Sequence, residues 1–234
     1  KSVYVSPSDR SDLRLVNKNY VDTQGNKFTI KDGIPNFIYP RELPGSDLES
    51  IAWYKNNAFV YDDFLPMTFD TFGVSEDDER QKLIDSLRLK QDHKVLETGC
   101  GTGRDSEKIA NELGEEGELF LQDISEDILN IANEKFSKKT FKPRIEFSLA
   151  NGCYLPFEDN YFDRVFHFGG INTFGDPNRA FKEMVRVCKP GGRLVVGDEN
   201  MPVWLPLTSL IQAPQLAKIG LVAVDLKAIL GGEY

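Results

Sequence analysis

A strand that runs into three closely spaced glycines constrains the fold of this chain more than any other feature. The apolar strand covers residues 95–98, the glycines are Gly99, Gly101 and Gly103, and the pattern predicts a helix from Arg104 onward. Glycine leaves no side chain to block the approach of a ligand, and the N–H groups at the helix start point back toward the turn. The unit predicts a doubly wound α/β fold that binds a nucleotide.

The loop differs from the fingerprint of dinucleotide-binding proteins. That fingerprint is G-x-G-x-x-G, and Arg104 stands where its third glycine would be. Glu97, just before the loop, fits poorly beside a pyrophosphate and suits a ligand with a cationic amino group and a sulfonium. The order apolar-apolar-acid-x-Gly-x-Gly-x-Gly resembles motif I of the class I S-adenosylmethionine-dependent methyltransferases.

Four further segments resemble the same family, in the same order. Residues 119–125 predict a second strand that ends in Asp123, where an acid can bind ribose hydroxyls. Residues 147–157 resemble the ligand loop "GDAxxLPF", and residues 160–165 resemble "xSFDxV". Residues 180–194 resemble "ALxEhxRVLKPGGRL". The motifs together cover roughly residues 90–200.

The resemblance implies a Rossmann-like methyltransferase fold with a mostly parallel, seven-stranded sheet. Residues 220–232 resemble the sixth strand. No later segment resembles the antiparallel last strand, which we expect either to lie beyond Tyr234 or to be a departure from the family's fold. We expect three parts: a small β-ribbon or arm at 1–40, a linker with an aromatic lid segment at 41–75, and the S-adenosylmethionine-binding domain at 76–234.

The N-terminal part is predicted to contain a hairpin turning at residues 24–26. Its Asp-Gly-Ile-Pro turn at 32–35 resembles the small ribbon before some methyltransferase domains, as in a zinc-less Trm112-like module. Related ribbons often carry paired cysteines for zinc, and none stands before Cys100 here. We therefore expect a metal-free ribbon; a simple arm packed on the domain is the alternative.

The resemblance also implies the cofactor, S-adenosyl-L-methionine, with S-adenosyl-L-homocysteine as product. Gly99, Gly101 and Gly103 would cradle its methionine part, Glu97 would orient its amino group, and Asp123 would accept from its ribose hydroxyls. Further contacts are expected from the loop and from the ends of the following strands, at Cys100, Ile124, Asn151, Gly152, Cys153, His167, Phe168 and Gly169. Relatives often have Asp where this chain has Asn151, whose amide oxygen can still accept from adenine.

Catalytic candidates lie at the ends of the fourth and fifth strands. His167 could act as a general base, and Asp198 and Glu199 face the same rim. Tyr61 and Phe64 are lid candidates because they stand in a polar context within an aromatic-rich stretch. For His167, hydrogen-bonded packing is the alternative role, and for the aromatic residues it is packing on the domain.

Composition narrows the class of partner. The formal net charge of −9 argues against a nucleic-acid substrate held by general electrostatics. No apolar run reaches the length of a membrane span. The three cysteines are far apart in the chain, so we expect them to be packing residues of a protein in a reducing cytosol. His93 is expected at the surface, and the oligomeric state stays open.

Methyl transfer from a sulfonium needs alignment and exclusion of water more than specialised catalytic groups. The chain looks closest to the small-molecule branch that includes quinone-biosynthesis (type 11) methyltransferases. We expect a small, partly apolar metabolite as the methyl acceptor. An RNA methyltransferase, suggested by the ribbon, and a silent cofactor-binding protein are the alternatives.

Overall fold

The computed structural model describes residues 2–71, 75–198 and 220–225. Four short strands come first, β1 (Arg14–Val16), β2 (Asn19–Val21), β3 (Lys27–Lys31) and β4 (Ile34–Pro35). Two helices follow, α1 (Gly45–Thr71) and α2 (Glu76–Asp85). The rest comprises β5 (Lys94–Thr98), α3 (Arg104–Glu112), β6 (Glu118–Asp123), α4 (Glu126–Ser137), β7 (Arg144–Leu149), β8 (Phe162–Phe168), α5 (Pro177–Val187), β9 (Cys188–Asp198) and β10 (Gly220–Asp225).

The main sheet is parallel throughout its described strands, in the order β10-β9-β8-β5-β6-β7. The strand order reverses at β5, which lies between β6 and β8, and ligands of doubly wound folds bind at such a switch point. The predicted α/β architecture is confirmed. Residues 226–232, the second part of the predicted sixth strand, lie outside the described residues.

Both faces of the sheet are buried because apolar residues fill both sets of alternating positions on the strands. Val95, Leu119 and Leu121 pack with side chains of α2, α3 and α4. Leu96 and Phe120 face the other way and pack with side chains of α5 and of the N-terminal segment. All five side chains are at most 1% exposed, which indicates about 1.5–3 kcal/mol of stabilisation for each.

The N-terminal ribbon covers a part of the sheet that no helix covers. Residues 150–161, between β7 and β8, contain no helix. Phe37 and Tyr4 from the ribbon segment share a buried cluster with Phe120 and Phe157, and the Phe37 N–H donates to the Leu149 carbonyl at 2.7 Å. The predicted hairpin is present as the antiparallel pair β2–β3. The Trm112-like identity and the division at residues 40 and 75 stay predictions.

The segment predicted as a linker and lid is a helix of 27 residues, α1. Residues 46–65 contain neither Gly nor Pro, and Asp47 in the first turn complements the helix dipole. The aromatic residues that drew attention to this stretch therefore lie on a helix. Tyr61 and Phe64 fall within α1, and their side chains lie outside what the structure describes.

The connection from α2 to β5 differs from prediction in two ways. The spacing of Leu83, Ile84 and Leu87 predicts a helix to about Lys90, but the helix ends at Asp85. The positive φ of Arg88 (52°) is incompatible with a continuing helix. His93, expected at the surface, is 8% exposed. Its Nδ1 accepts from the Lys90 N–H at 3.0 Å, so the imidazole stabilises this turn.

Within 2–71, 75–198 and 220–225, no helix has the length and apolarity needed to cross a bilayer. The same residues hold no group of three or more His, Cys, Asp or Glu side chains placed to bind a metal ion.

Replacing Phe37 with Ala tests the ribbon's attachment to the sheet. The ring is fully buried, with its centroid 4.9 Å from that of Tyr4, so we expect a loss of about 3–5 kcal/mol in the free energy of unfolding. Leu15→Ala is the control, since Leu15 is 65% exposed on β1 and should change stability by less than about 0.5 kcal/mol. Denaturant unfolding that gives equal values for the two variants would contradict the packing role.

Candidate active site

The glycine loop adopts a conformation that favours glycine. Gly99 and Gly101 have φ values of 67° and 55°, in the left-handed region where side chains are strained. Gly103 has a packing reason as well: an added Cβ would lie 2.9 Å from the Phe136 ring of α4. The loop therefore presents backbone to the carboxyl edge of the sheet while α3 and α4 stay close together.

Asp123, at the end of β6, holds this loop in place. One carboxylate oxygen accepts from the Gly101 N–H at 2.9 Å, and the other accepts from the Ser125 N–H at 2.9 Å. Burial raises the pKa of the carboxyl, and the N–H groups of Ser125, Gly101 and Ile124 oppose the rise by favouring the charged form. Each oxygen keeps a lone pair for a further donor.

A cleft of about 590 Å³, counting its open mouth, lies above these groups. Eight of its lining residues were predicted from the sequence: Gly99, Gly101, Asp123, Ile124, Asn151, Gly152, Phe168 and Gly169. The other seven were not: Asp47, Ser50, Tyr54, Gln122, Gly170, Thr173 and Phe174.

Helix α1 crosses the edge of the cleft and is held at two points. Near its start, Asp47 accepts from the Gly175 N–H at 2.7 Å. Further along, the Asp62 carboxylate pairs with Lys135 and accepts from the Thr102 hydroxyl, and its carbonyl accepts from Arg104 at 3.1 Å. These contacts hold α1 along one side of the cleft, which it lines with Asp47, Ser50 and Tyr54.

The charges at the cleft are negative. Asp47 and Asp123 are its ionisable acids, and the described lining residues include no Lys, Arg or His. In this cleft the negative charges of a pyrophosphate would lie beside carboxylates. The described lining residues offer no cationic side chain to neutralise them. A ligand with a cationic amino group and a sulfonium matches the negative charge of the cleft, as the sequence predicts.

Glu97 lies behind the cleft and is absent from its described lining. The side chain is 2% exposed and accepts from the Ser106 hydroxyl at 2.6 Å. Burial and the neighbouring Asp105 carboxylate raise its pKa well above the usual value. Asp105 in turn pairs with the buried Arg80. Glu97 therefore braces the start of α3 against β5, and its predicted contact with the amino group of the cofactor stays a prediction.

His167 lies beneath the glycine loop, fully buried. Its Nδ1 lies 2.8 Å from the Thr98 carbonyl, which can only accept, so Nδ1 carries the proton. An added Cβ on Gly99 would come within 3.2 Å of the ring. The ring therefore packs under the loop through this hydrogen bond, and its general-base role stays a prediction. Asp198 ends β9, and its side chain lies outside what the structure describes. Glu199 lies outside the described residues altogether.

The cysteines are buried and unbridged. Burial raises the pKa of Cys153 to about 11 and that of Cys188 to about 12, and it raises the pKa of Cys100 well above its usual value. Thiols of this kind stay protonated and unreactive at neutral pH. Cys100 and Cys153, predicted as cofactor contacts, are not among the described lining residues.

Gln122 connects the ends of three adjacent strands. Its amide oxygen accepts from the Thr98 hydroxyl at the end of β5, and its amide nitrogen donates to the Ala150 carbonyl after β7. The side chain is 1% exposed and also lines the cleft. A polar residue inside an apolar strand, just before the acid, was the signal that could have identified it.

Gln122→Leu should destabilise the fold because it leaves the Thr98 hydroxyl and the Ala150 carbonyl buried without this partner. We expect a loss of about 2–6 kcal/mol, at about 1–3 kcal/mol for each unsatisfied group, measured by denaturant unfolding. Gln81→Leu is the matched control because the Gln81 amide bonds only at the exposed surface. A Gln122→Leu variant as stable as the control would show that the bridge is dispensable.

Comparisons with known proteins agree with this geometry. A family profile described as "Methyltransferase domain" matches residues 89–225. The ubiquinone/menaquinone biosynthesis C-methyltransferase UbiE of Yersinia pestis (strain Pestoides F) is 36% identical over 149 residues, which cover 62% of this chain and 59% of that protein. UbiE of Yersinia enterocolitica is 37% identical over 146 residues, covering 61% and 58%. The chain thus spans about three fifths of the length of these curated relatives.

A solved structure shows the same fold. It is a protein from Methanococcus maripaludis titled a putative S-adenosyl-L-methionine-dependent methyltransferase, with a TM-score of 0.52 and 22% identity over 62% of this chain and 63% of that one. The family profile covers more than half of the chain, including the glycine loop. The chain therefore belongs to the methyltransferase-domain family, the class I enzymes whose cofactor is S-adenosyl-L-methionine.

Proposed function

We propose that this chain binds S-adenosyl-L-methionine in the described cleft and transfers its methyl group to a small, partly apolar metabolite. The observation that carries the proposal is the Asp123 carboxylate, fixed between the glycine loop and the α4 turn with a lone pair left on each oxygen. A vicinal pair of ribose hydroxyls supplies two donors for such a carboxylate.

The residues present fit this cofactor. Gly99 and Gly101 expose backbone at positive φ beside the cleft, where a methionine chain can lie against the loop. Ile124 supplies an apolar surface next to Asp123, and Asn151 and Gly152 stand at the next strand end, where a base can lie. The acidic lining suits the cationic ammonium and sulfonium groups.

The cofactor, when bound, supplies the activated methyl group. The chain contributes alignment and a dry site: Asp123 and the loop fix the nucleoside, and α1 covers it through its contacts at Asp47 and Asp62. Phe168 and Gly169, after β8, line the wall of the cleft past which an acceptor would approach. Holding both partners in line is the main catalytic contribution that such a site makes.

A small, partly apolar acceptor is supported by the aromatic side chains at the cleft. Tyr54 on α1, Phe168 and Phe174 all line it, so part of its wall is apolar. The matched Yersinia proteins are named for carbon methylation in ubiquinone and menaquinone biosynthesis, a class of partly apolar acceptors. We extend that acceptor class, without a specific compound, to this chain.

Asp123→Asn should weaken the binding of S-adenosylhomocysteine at least tenfold, about 1.4 kcal/mol, because a charge-assisted hydrogen bond is lost. Isothermal calorimetry measures this, with thermal melts to show that the variant folds. Asp127→Asn is the control: it is an exposed acid in the first turn of α4, four residues along the chain. Unchanged affinity in Asp123→Asn would remove this residue from the site.

A screen with methyl-labelled S-adenosylmethionine and a cell extract tests the acceptor class. We expect label in the small-molecule fraction with the wild-type chain and none with Asp123→Asn. Label in the RNA fraction would support an RNA methyltransferase instead. Tight cofactor binding with no label in either fraction would support a silent binding protein.

A further inference from the structure

Asp47 is a buried carboxylate at the cleft that neither the sequence pattern nor the family motifs identify. It lies in the first turn of α1, is 3% exposed and lines the cleft. One oxygen accepts from the Gly175 N–H at 2.7 Å, and the other accepts from the Asn151 side-chain amide at 3.0 Å. Each oxygen has a second lone pair for another donor.

The orientation of the Asn151 amide follows from its neighbours. Its oxygen lies 2.9 Å from the Cys153 N–H, which can only donate, and its nitrogen faces the Asp47 carboxylate, which accepts. The amide oxygen that was expected to accept from the base already accepts one bond from the backbone, and unlike a carboxylate it carries no charge to strengthen a second one. The anionic acceptor at this end of the cleft is Asp47.

The order of the strands indicates which part of the cofactor reaches Asp47. The glycine loop follows β5, Asp123 ends β6, and Asn151 follows β7, and these strands are adjacent in that order. S-adenosylmethionine is built in the order methionine, ribose, adenine. With the methionine on the loop and the ribose on Asp123, the base lies toward Asn151 and Asp47.

We propose that Asp47 accepts a hydrogen bond from the exocyclic amino group of the adenine and that Asn151 holds the carboxylate in position. The proposal rests on the proposed function and adds the selectivity of the site for the base of the cofactor: it binds a 6-aminopurine in preference to a 6-oxopurine. A 6-oxo base would present a carbonyl oxygen to the carboxylate, so two acceptors would face each other without a proton between them.

The pairing also accounts for an amide at position 151. An aspartate there would place two carboxylates about 3 Å apart in a buried site, and one of them would have to take up a proton. Burial already raises the pKa of Asp47, and the N–H groups of Gly175 and Asn151 oppose the rise. Asp47 and Asn151 therefore form a matched pair of acceptor and donor.

The test compares binding of S-adenosylhomocysteine with that of S-inosylhomocysteine, its 6-oxo counterpart, by calorimetry. We expect the wild-type chain to prefer the amino compound at least tenfold. Asp47→Asn should weaken binding of the amino compound at least tenfold and bring the preference below threefold. Asp127→Asn, a change of the same chemistry at an exposed position, should leave both affinities unchanged.

A swapped double variant, Asp47→Asn with Asn151→Asp, keeps the test valid if a single variant fails to fold. The amide introduced by Asp47→Asn can accept from the Gly175 N–H and donate to the carboxylate introduced by Asn151→Asp. That carboxylate can also accept from the Cys153 N–H, so every hydrogen bond of the pair is retained. The swap returns a carboxylate to this end of the cleft and should bind the amino compound at least fivefold more tightly than Asn151→Asp alone.

The proposal is overturned if Asp47→Asn keeps wild-type affinity and wild-type preference, or if the wild-type chain binds both compounds equally. Those outcomes leave the proposed function standing as long as Asp123→Asn still weakens binding. A wild-type chain that binds neither compound would refute the proposed function itself.

Discussion

The site depends on one buried carboxylate that is held by backbone N–H groups. Asp123 bonds Gly101 on one side and Ser125 on the other, so it joins the glycine loop of β5 to the start of α4. A carboxylate bound in this way is already desolvated and fixed before a ligand arrives. Binding then adds donors to prepared acceptors, and little side-chain ordering remains to oppose it.

Buried acids elsewhere in the site serve different purposes because their partners differ. Glu97 and Asp105 belong to a network with Arg80 behind the loop, where burial raises the pKa of both carboxyls. Asp47 and Asp123 have amide donors and keep lone pairs toward the cleft. The first pair stabilises the junction of α2 and α3, and the second gives the cleft its negative field.

Local sequence patterns predicted the parts of the site that are continuous in the chain. The loop at 99–103 and Asp123 follow directly from strand ends and glycine spacing, and the structure brings them together. Asp47 could not be predicted in this way, because 104 residues separate it from Asn151 and only the path of α1 brings the two together. For His167, the pattern located the strand end but could not show that the ring points under the loop, toward Thr98.

The fold was predictable to a similar extent. The strand and glycine turn at 95–103 predicted a doubly wound α/β fold, and the family resemblance implied the parallel sheet, whereas the position of the ribbon depends on tertiary contacts. The β7–β8 connection has no helix, and Phe37 and Tyr4 fill the space above Phe120. Helix α1 escaped prediction because its aromatic residues indicated a lid and its apolar positions follow no clear helical face.

A crystal structure of the chain with S-adenosylhomocysteine tests the central claim most directly. We expect both ribose hydroxyl oxygens within about 2.5–3.0 Å of the Asp123 carboxylate, with the loop at 99–103 against the homocysteine part. A ribose that lies beyond hydrogen-bonding distance of Asp123, with the ligand in another crevice, would contradict it.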